Sequence, residues 1–509
     1  MDLLVPDPQS LSREELIALV ADQDAVIARQ DAQITAMAGQ LAGVLEKFEE
    51  QAGELEKLRH LLSRNSSNSS FPSSKDDGLG RKAPGSLRES SGKAKGKQKG
   101  APGSRREWVS APDETKPVFP EGACECGADL AGALDLGVVD RYQQHELPEV
   151  AVKVTQFEAH AVACGCGRTH TGARPEGAGA GSAGYGPNLQ ALIVYLLVIQ
   201  FLPVARCCDL VESLTGTRPS AGFVHGMLAK AAAALRVVDR AIRTLITLAF
   251  AVCCDETPVK TGPATPAPGK KEAKGYLLVA CTELYTHYLL GDRSLDTFTA
   301  FVFADLAADA VIVHDRYTAY DSAKLGTLNH QLCLAHILRD LASAAELYPD
   351  QIWPAQAADA LRELIHRANQ ARDQDRDAID PAVTAQPIKA LRHAVLIGLA
   401  HTHDLADTRP GARKSRLLLE ALHQREADFL RFTTDLRIPP TSNQAERDLR
   451  PAKIQEKISG RLTNTQRGKD RYLIRGVLST AIKHGQRPLA ILRDALVGTP
   501  WFPPGYTPA

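Results

Sequence analysis

Three acidic residues stand where carboxylates can do chemistry. The run LAFAVCCD at 248–255 is short, apolar and ends in Asp255, and VIVHD at 311–315 is another that ends in Asp315; each reads as a buried strand with an acid at its end. Two carboxylates at neighbouring strand ends repel each other unless a cation lies between them. Asp oxygens are hard ligands suited to Mg2+ or Mn2+, and two such ions about 3.5–4 Å apart activate a nucleophile and stabilise a leaving oxygen in phosphoryl transfer. A pair of ions needs a third carboxylate, for which Glu446 in PPTSNQAERDLRPAKIQEKISGR (439–461) is the candidate. Glu256 follows Asp255 directly, but successive strand residues face opposite sides, so both cannot point at one metal.

The stretch around Glu446 has helical spacing. Residues 446, 450, 453 and 457 fall on one face, placing Glu446 with Arg450, Lys453 and Lys457, and Thr441, Ser442 or Asn443 can open the helix after Pro439 and Pro440. Pro451 is expected to bend it. Taken alone, this is a salt-bridged solvent face. Beside Asp255 and Asp315 it becomes a carboxylate flanked by cations, with Arg447, Arg450, Lys453, Lys457 and Arg461 as candidate contacts to DNA phosphates.

The elements that must position these groups follow in order. After the strand ending at Asp255 come KGYLLVACTEL and YTHYLLGD, then the helix-like TFTAFVFADLA, then the strand ending at Asp315, then HQLCLAHILRDL as a strand passing into a helix. That order is the order of a ribonuclease H-like α/β domain, in which the ends of the first and fourth strands lie side by side. It spans 248–345 and 436–485, interrupted at 346–435 by amphipathic helical patterns that read as an insertion; 486–509 is a C-terminal tail.

Upstream, 1–64 carries a heptad whose a positions are Val20, Ile27, Ile34, Leu41, Phe48, Leu55 and Leu62, the pattern of a coiled coil and hence of a homo-oligomer. Residues 65–117, rich in Ser, Gly and Lys, read as a flexible basic linker, either a solvated spacer or a cationic arm for DNA. Residues 118–175 hold Cys124, Cys126, Cys164 and Cys166 at the two ends of alternating stretches, a zinc-finger-like layout for Zn2+ with C-x-C pairs where zinc sites usually have C-x-x-C. Residues 181–247 read as two helices with a turn at Gly216 and an N-cap at Ser220, either a helix-turn-helix-like DNA-binding segment or ordinary core helices.

The chain of 509 residues is long enough for several domains, and its 60 basic and 60 acidic residues cancel, yet they are segregated. Residues 81–106 and 447–475 are strongly basic, which suits a polyanionic partner. The start MDLLVPDPQS lacks the layout of a secretory signal, and the longest apolar run, at 189–205, is broken by Gln200 and Pro203. The expectation is a multidomain α+β protein of the cytoplasm, associated with the nucleoid and with no membrane contact.

DETPVK, HDRYTAYD, CLAHILRDL and above all NQAERDLRPAKIQEKISGR resemble the motifs of DDE transposases of the insertion-sequence 66 family, and the domain order resembles theirs too. The resemblance implies that Asp255, Asp315 and Glu446 match the catalytic triad and hold Mg2+ or Mn2+. It also implies that Cys333 and His336 match a C-x-x-H pair supporting the site; read from the residues alone, these two could equally be core residues or a metal site of their own. The implied function is a polynucleotidyl transferase that binds terminal inverted repeats in double-stranded DNA, cleaves them and joins the strand to a target, with companion proteins of the same element as candidate partners. Two rivals stay open: an inactive or domesticated DNA-binding regulator, and a ribonuclease H-like nuclease.

Overall fold

A computed structural model of the protein describes residues 11–63, 106–173, 183–266, 273–403 and 411–506, together with residues 181, 268 and 409. The basic linker up to residue 105 lies outside the described residues. Helix α1 (Arg13–Ser63) is opened by a reciprocal cap in which Ser12 N–H donates to Glu15 Oε2 (2.9 Å) and Glu15 N–H to Ser12 Oγ (3.3 Å). Its heptad residues Ile27, Ile34, Leu41 and Phe48 are all exposed, so the chain by itself leaves the stripe uncovered. In the cysteine-bearing segment β1 (Ala161–Ala163) and β2 (Thr169–Thr171) pair, and Ala123 forms an isolated antiparallel bridge with Asp129. The alternating stretch between the cysteines forms no further strand among the described residues, and Leu136 and Val139 remain exposed because no second layer covers them.

The rest is built on one five-stranded sheet. Helices α2 (Pro187–Val198), α3 (Val204–Thr215) and α4 (Ala221–Thr247) precede β3 (Ala251–Val259), β4 (Gly275–Cys281) and β5 (Thr286–Gly291). Then come α5 (Leu295–Phe301), β6 (Val311–His314), β7 (Asn329–Leu332) and α6 (Leu334–Leu347). Four helices follow, α7 (Trp353–Asp373), α8 (Pro381–His401), α9 (Ala412–Gln424) and α10 (Glu426–Leu430), before α11 (Asn443–Ser459), α12 (Thr465–Lys483) and α13 (Pro488–Leu496). The strand order is β5-β4-β3-β6-β7, with β3, β4 and β5 antiparallel and β6 and β7 parallel to β3.

Apolar residues on both faces of the central strands require cover on both sides. Val252, Cys254, Leu278, Ala280 and Ile312 bury against α2, α4, α12 and α13. Cys253, Leu277, Val279, Val311 and Val313 bury against α6 to α11. The helical segment 181–247 is therefore not a separate unit, since Leu235, Ile242 and Ile246 of α4 share one core with the sheet. Its expected turn is present: Gly216 closes α3 at φ 67 and the Ser220 hydroxyl caps Phe223 N–H (3.2 Å). Arg218, the cation before the second helix, is tied back to Asp209 (2.8 Å) and Glu212 (2.5 Å) of α3. Among the described residues α4 alone is long and apolar enough to cross a membrane, and its apolar face is the one buried here.

The helices at 346–435 likewise share the core of the second sheet face, with Trp353, Phe429 and Phe432 fully buried. Gln331 on β7 clasps their far end, its Nε2 donating to Phe429 O (3.1 Å) and its Oε1 accepting from Phe432 N–H (2.8 Å).

His314 on β6 and His330 on β7 lie 2.9 Å apart, Nε2 to Nδ1. Burial holds His314 well below the ordinary imidazole value, with the charge of His330 adding to it, and burial lowers His330 too, against the pull of Asp428 and Asp321. Both bind fewer protons folded than unfolded, so stability is intact above about pH 6.5 and is lost as pH falls below it. Thermal midpoints measured between pH 7 and 5 should fall less steeply for His330→Gln than for the wild type.

Candidate active site

The register of the two central parallel strands brings two of the expected acids together. Cys253 on β3 lies opposite Val313 on β6. Two residues further along each chain stand Asp255 and Asp315, at the same level and on the face that carries Cys253 and Val313. Burial, then repulsion from Glu256 and Asp315, pushes the Asp255 carboxyl well above the usual carboxylate range, opposed by His336 and by the Glu256 N–H, which donates to Asp255 Oδ1 (2.8 Å). Asp315 Oδ1 accepts from Tyr317 N–H (2.9 Å), which fixes the turn after β6.

Glu256 points the other way, as the alternation requires. Its carboxylate accepts from Arg293 and from the Tyr320 hydroxyl (2.9 Å), and Arg293 lies over the Tyr317 ring at 3.9 Å. This acid is spoken for.

Helix α11 packs on β3 and β4, and Glu446 lies in its first turn. Ser442 is the N-cap residue, and Pro451 is accommodated inside a helix that runs on to Ser459. Glu446 Oε1 accepts from Arg339 of α6 (2.7 Å) and stands 3.7 Å from His336 Nε2. The third acid is therefore turned to α6, and among the described residues no three His, Cys, Asp or Glu side chains converge closely enough to hold a metal ion. Asp255 and Asp315 fit a hard divalent cation by their chemistry, being a half-buried carboxylate and its like-charged neighbour, with no cation side chain among the described residues bonded to either.

Cys333 and His336 stand where α6 meets α11. Cys333 is buried and its Sγ accepts from Ser442 N–H (3.2 Å), while Leu334 N–H donates to Pro440 O (3.0 Å). Burial alone would lift the thiol, but His336 and Ser442 outweigh it and lower the Cys333 value; burial would lower His336, but Cys333 raises it to about 9.

The expected phosphate contacts divide. Arg450 and Lys457 are exposed on α11, and Arg447 donates to Gln444 Oε1 (2.6 Å). Lys453 donates to the Pro258 carbonyl at the end of β3. Arg461 Nη1 donates to the carbonyls of Thr261 (3.2 Å), Pro263 (3.2 Å) and Ala273 (2.9 Å), tying the β3–β4 connection to the end of α11.

A family model described as Transposase IS66 family matches residues 183–470, from just before α2 into α12. The chain belongs to that family. No curated protein matches the chain. The part of this IS66-family chain that matches takes in the sheet, helices α2 to α11 and all three acids, and it leaves out the cysteine-bearing segment, most of α12 and all of α13.

In that segment Cys124 and Cys164 open matching turns. Cys124 N–H donates to Ala128 O (2.8 Å) and Cys164 N–H to Arg168 O (2.7 Å), with Gly127 and Gly167 at φ 88 and φ 86. Within each turn, hydrogen bonds from the second cysteine, Cys126 or Cys166, lower the first thiol's pKa. All four thiols are exposed, and among the described residues no three of them gather at one point.

Sequence reasoning did not single out Arg339, the partner of Glu446, as part of this site. Arg339 stands one turn after His336 within CLAHILRDL, and that spacing was the available signal.

Proposed function

We propose that this transposase is a DDE-type polynucleotidyl transferase with a ribonuclease H-like catalytic domain, in which Asp255, Asp315 and Glu446 are the acids of the reaction centre. The observation that carries this reading is the register of β3 and β6, which sets Asp255 and Asp315 level on one sheet face with α11 packed on it. The strand order β5-β4-β3-β6-β7 supports the fold assignment.

Mg2+ or Mn2+ held by Asp255 and Asp315, with Glu446 as the third ligand, would activate the attacking oxygen and stabilise the leaving oxygen of the scissile phosphate. Glu446 must leave Arg339 to join them, which frees a guanidinium beside the site for a phosphate oxygen. Cys333 and His336 support this arrangement by fixing the start of α11 against α6. Glu256 takes no part in binding metal, because Arg293 and Tyr320 hold it on the opposite face.

Arg450 and Lys457 would bind phosphates of double-stranded DNA at the element's ends and at the target, with Arg447 and Lys453 beside them. Lys457→Ala should weaken end binding across all sequences and reduce the slope of log affinity against log salt by about one. Titrations at several salt concentrations check this. The exposed stripe of α1 supports a homo-oligomer through a coiled coil, and the basic linker supports a loose second hold on DNA.

The test is cleavage and joining by the purified protein on DNA carrying the inverted repeats that flank its reading frame, with Mg2+. Nicked 3′-hydroxyl ends and strand-transfer products are expected. Binding with no nicking would favour a regulator, and nicking without joining a nuclease.

A further inference from the structure

We infer that the buried pair Asp448–Lys483 is the positioning device for Glu446, clamping α11 from the side opposite α6; this rests on the reading of Glu446 as a metal ligand. Asp448 stands two residues after Glu446 and is buried. Its Oδ2 accepts from the Thr286 hydroxyl of β5 (2.9 Å) and from Lys483 Nζ at the end of α12 (3.0 Å). Its Oδ1 accepts from Gln444 Nε2 (3.1 Å), and its backbone carbonyl accepts from the Tyr288 hydroxyl (2.5 Å). Lys483 completes its shell with the carbonyls of Thr282 (2.8 Å) and Tyr285 (3.1 Å).

A buried ion pair in which every donor and acceptor is satisfied fixes geometry more than it adds stability. Here it fixes one geometry in particular. The start of α11 is held on one side by Cys333 and Leu334, through Ser442 N–H and Pro440 O, and on the other by β5 and α12, through Asp448. Glu446 lies between these two anchors in sequence, so the angle at which its carboxylate approaches the strand ends depends on both. Asp448 and Lys483 touch no reacting atom. Their role is transmitted through the helix.

The experiment measures Mn2+ affinity by electron paramagnetic resonance, and end cleavage, in the double variant Asp448→Asn with Lys483→Met, which removes both charges and leaves none buried alone. End-DNA binding is expected to be unchanged and the Mn2+ dissociation constant to rise roughly tenfold to a hundredfold, as for outer groups that orient a ligand. In a Glu446→Gln background the same double change should add no further loss of Mn2+ affinity, whereas general loosening of the fold would add one. Tyr288→Phe removes only a hydroxyl, and a smaller rise in the Mn2+ constant is expected even where the double variant folds poorly. Unchanged Mn2+ affinity and cleavage in either folded variant, or an additive loss in the Glu446→Gln background, overturns the inference while the triad stands. Glu446→Gln that alone leaves Mn2+ affinity and cleavage intact overturns the reading of Glu446 itself.

Discussion

Asp255→Asn should reduce end cleavage and strand transfer by roughly a thousandfold or more while leaving end-DNA binding within about twofold of the wild type. The substitution keeps the shape of the side chain and its place within β3, and the amide oxygen still accepts from the Glu256 N–H. What it removes is one of two negative charges that face each other across the β3–β6 pair. Folding should not suffer: burial and the charges of Glu256 and Asp315 make the ionised Asp255 costly in the metal-free chain, so a neutral isostere relieves repulsion. A thermal midpoint equal to or above that of the metal-free wild type, together with lost cleavage, is the expected combination. Cleavage that persists would remove Asp255 from the chemistry.

The largest expected effect on stability lies away from the acids. Trp353→Ala should destabilise the α/β domain by about 3–5 kcal/mol, measured by chemical unfolding. Trp353 opens α7 with no exposed surface, lies 6.1 Å from the Tyr348 ring, and packs so tightly on α8 that a Cβ at Gly398 would sit 3.0 Å from its ring and 2.7 Å from Leu419. The cavity cannot close, because α8 and α9 are already in contact there. Since these helices share their core with Val313, Leu334 and Leu449, loss of Trp353 should also loosen α6 and α11 and lower cleavage in step with the fraction unfolded.

How much of this was legible in the chain depends on the range of each interaction. The strands that carry the two aspartates to the site are written locally, as short apolar runs bounded by polar residues; β6 stops just before Asp315 as read, whereas β3 does not end at Asp255 but runs on to Val259, because its pairing with β4 continues past the acid. The helix carrying Glu446 is written in its four–three–four spacing, and its N-cap is one of the three residues expected. Amphipathic spacing shows that a helix has an apolar face but not what covers that face. That is why 181–247 read either as a DNA-binding segment or as ordinary core helices, and only the structure shows that α4 buries Leu235 and Ile242 against the sheet.

The site's side-chain partners were less legible still. Arg339 and Glu446 meet across 107 residues, Thr286 and Asp448 across 162, and Arg461 reaches carbonyls 188 to 200 residues away; nothing local encodes such pairings. Arg461 shows the consequence, since its place in a basic stretch gave no sign of the carbonyls that its Nη1 meets. The cysteine pairs read as the two ends of a zinc-finger-like module; that each opens a turn, with Gly127 and Gly167 supplying the left-handed backbone, was not read from the spacing.

The account stands on Asp255, Asp315 and Glu446 forming one divalent-cation site. Anomalous diffraction from crystals soaked in Mn2+ tests it most directly. The expected result is a manganese peak bonded at about 2.0–2.2 Å by carboxylate oxygens of Asp255 and Asp315, with Glu446 turned away from Arg339 towards it. A map with no manganese between Asp255 and Asp315 and with Glu446 still on Arg339, from crystals of protein that cleaves its ends in Mn2+, would contradict it.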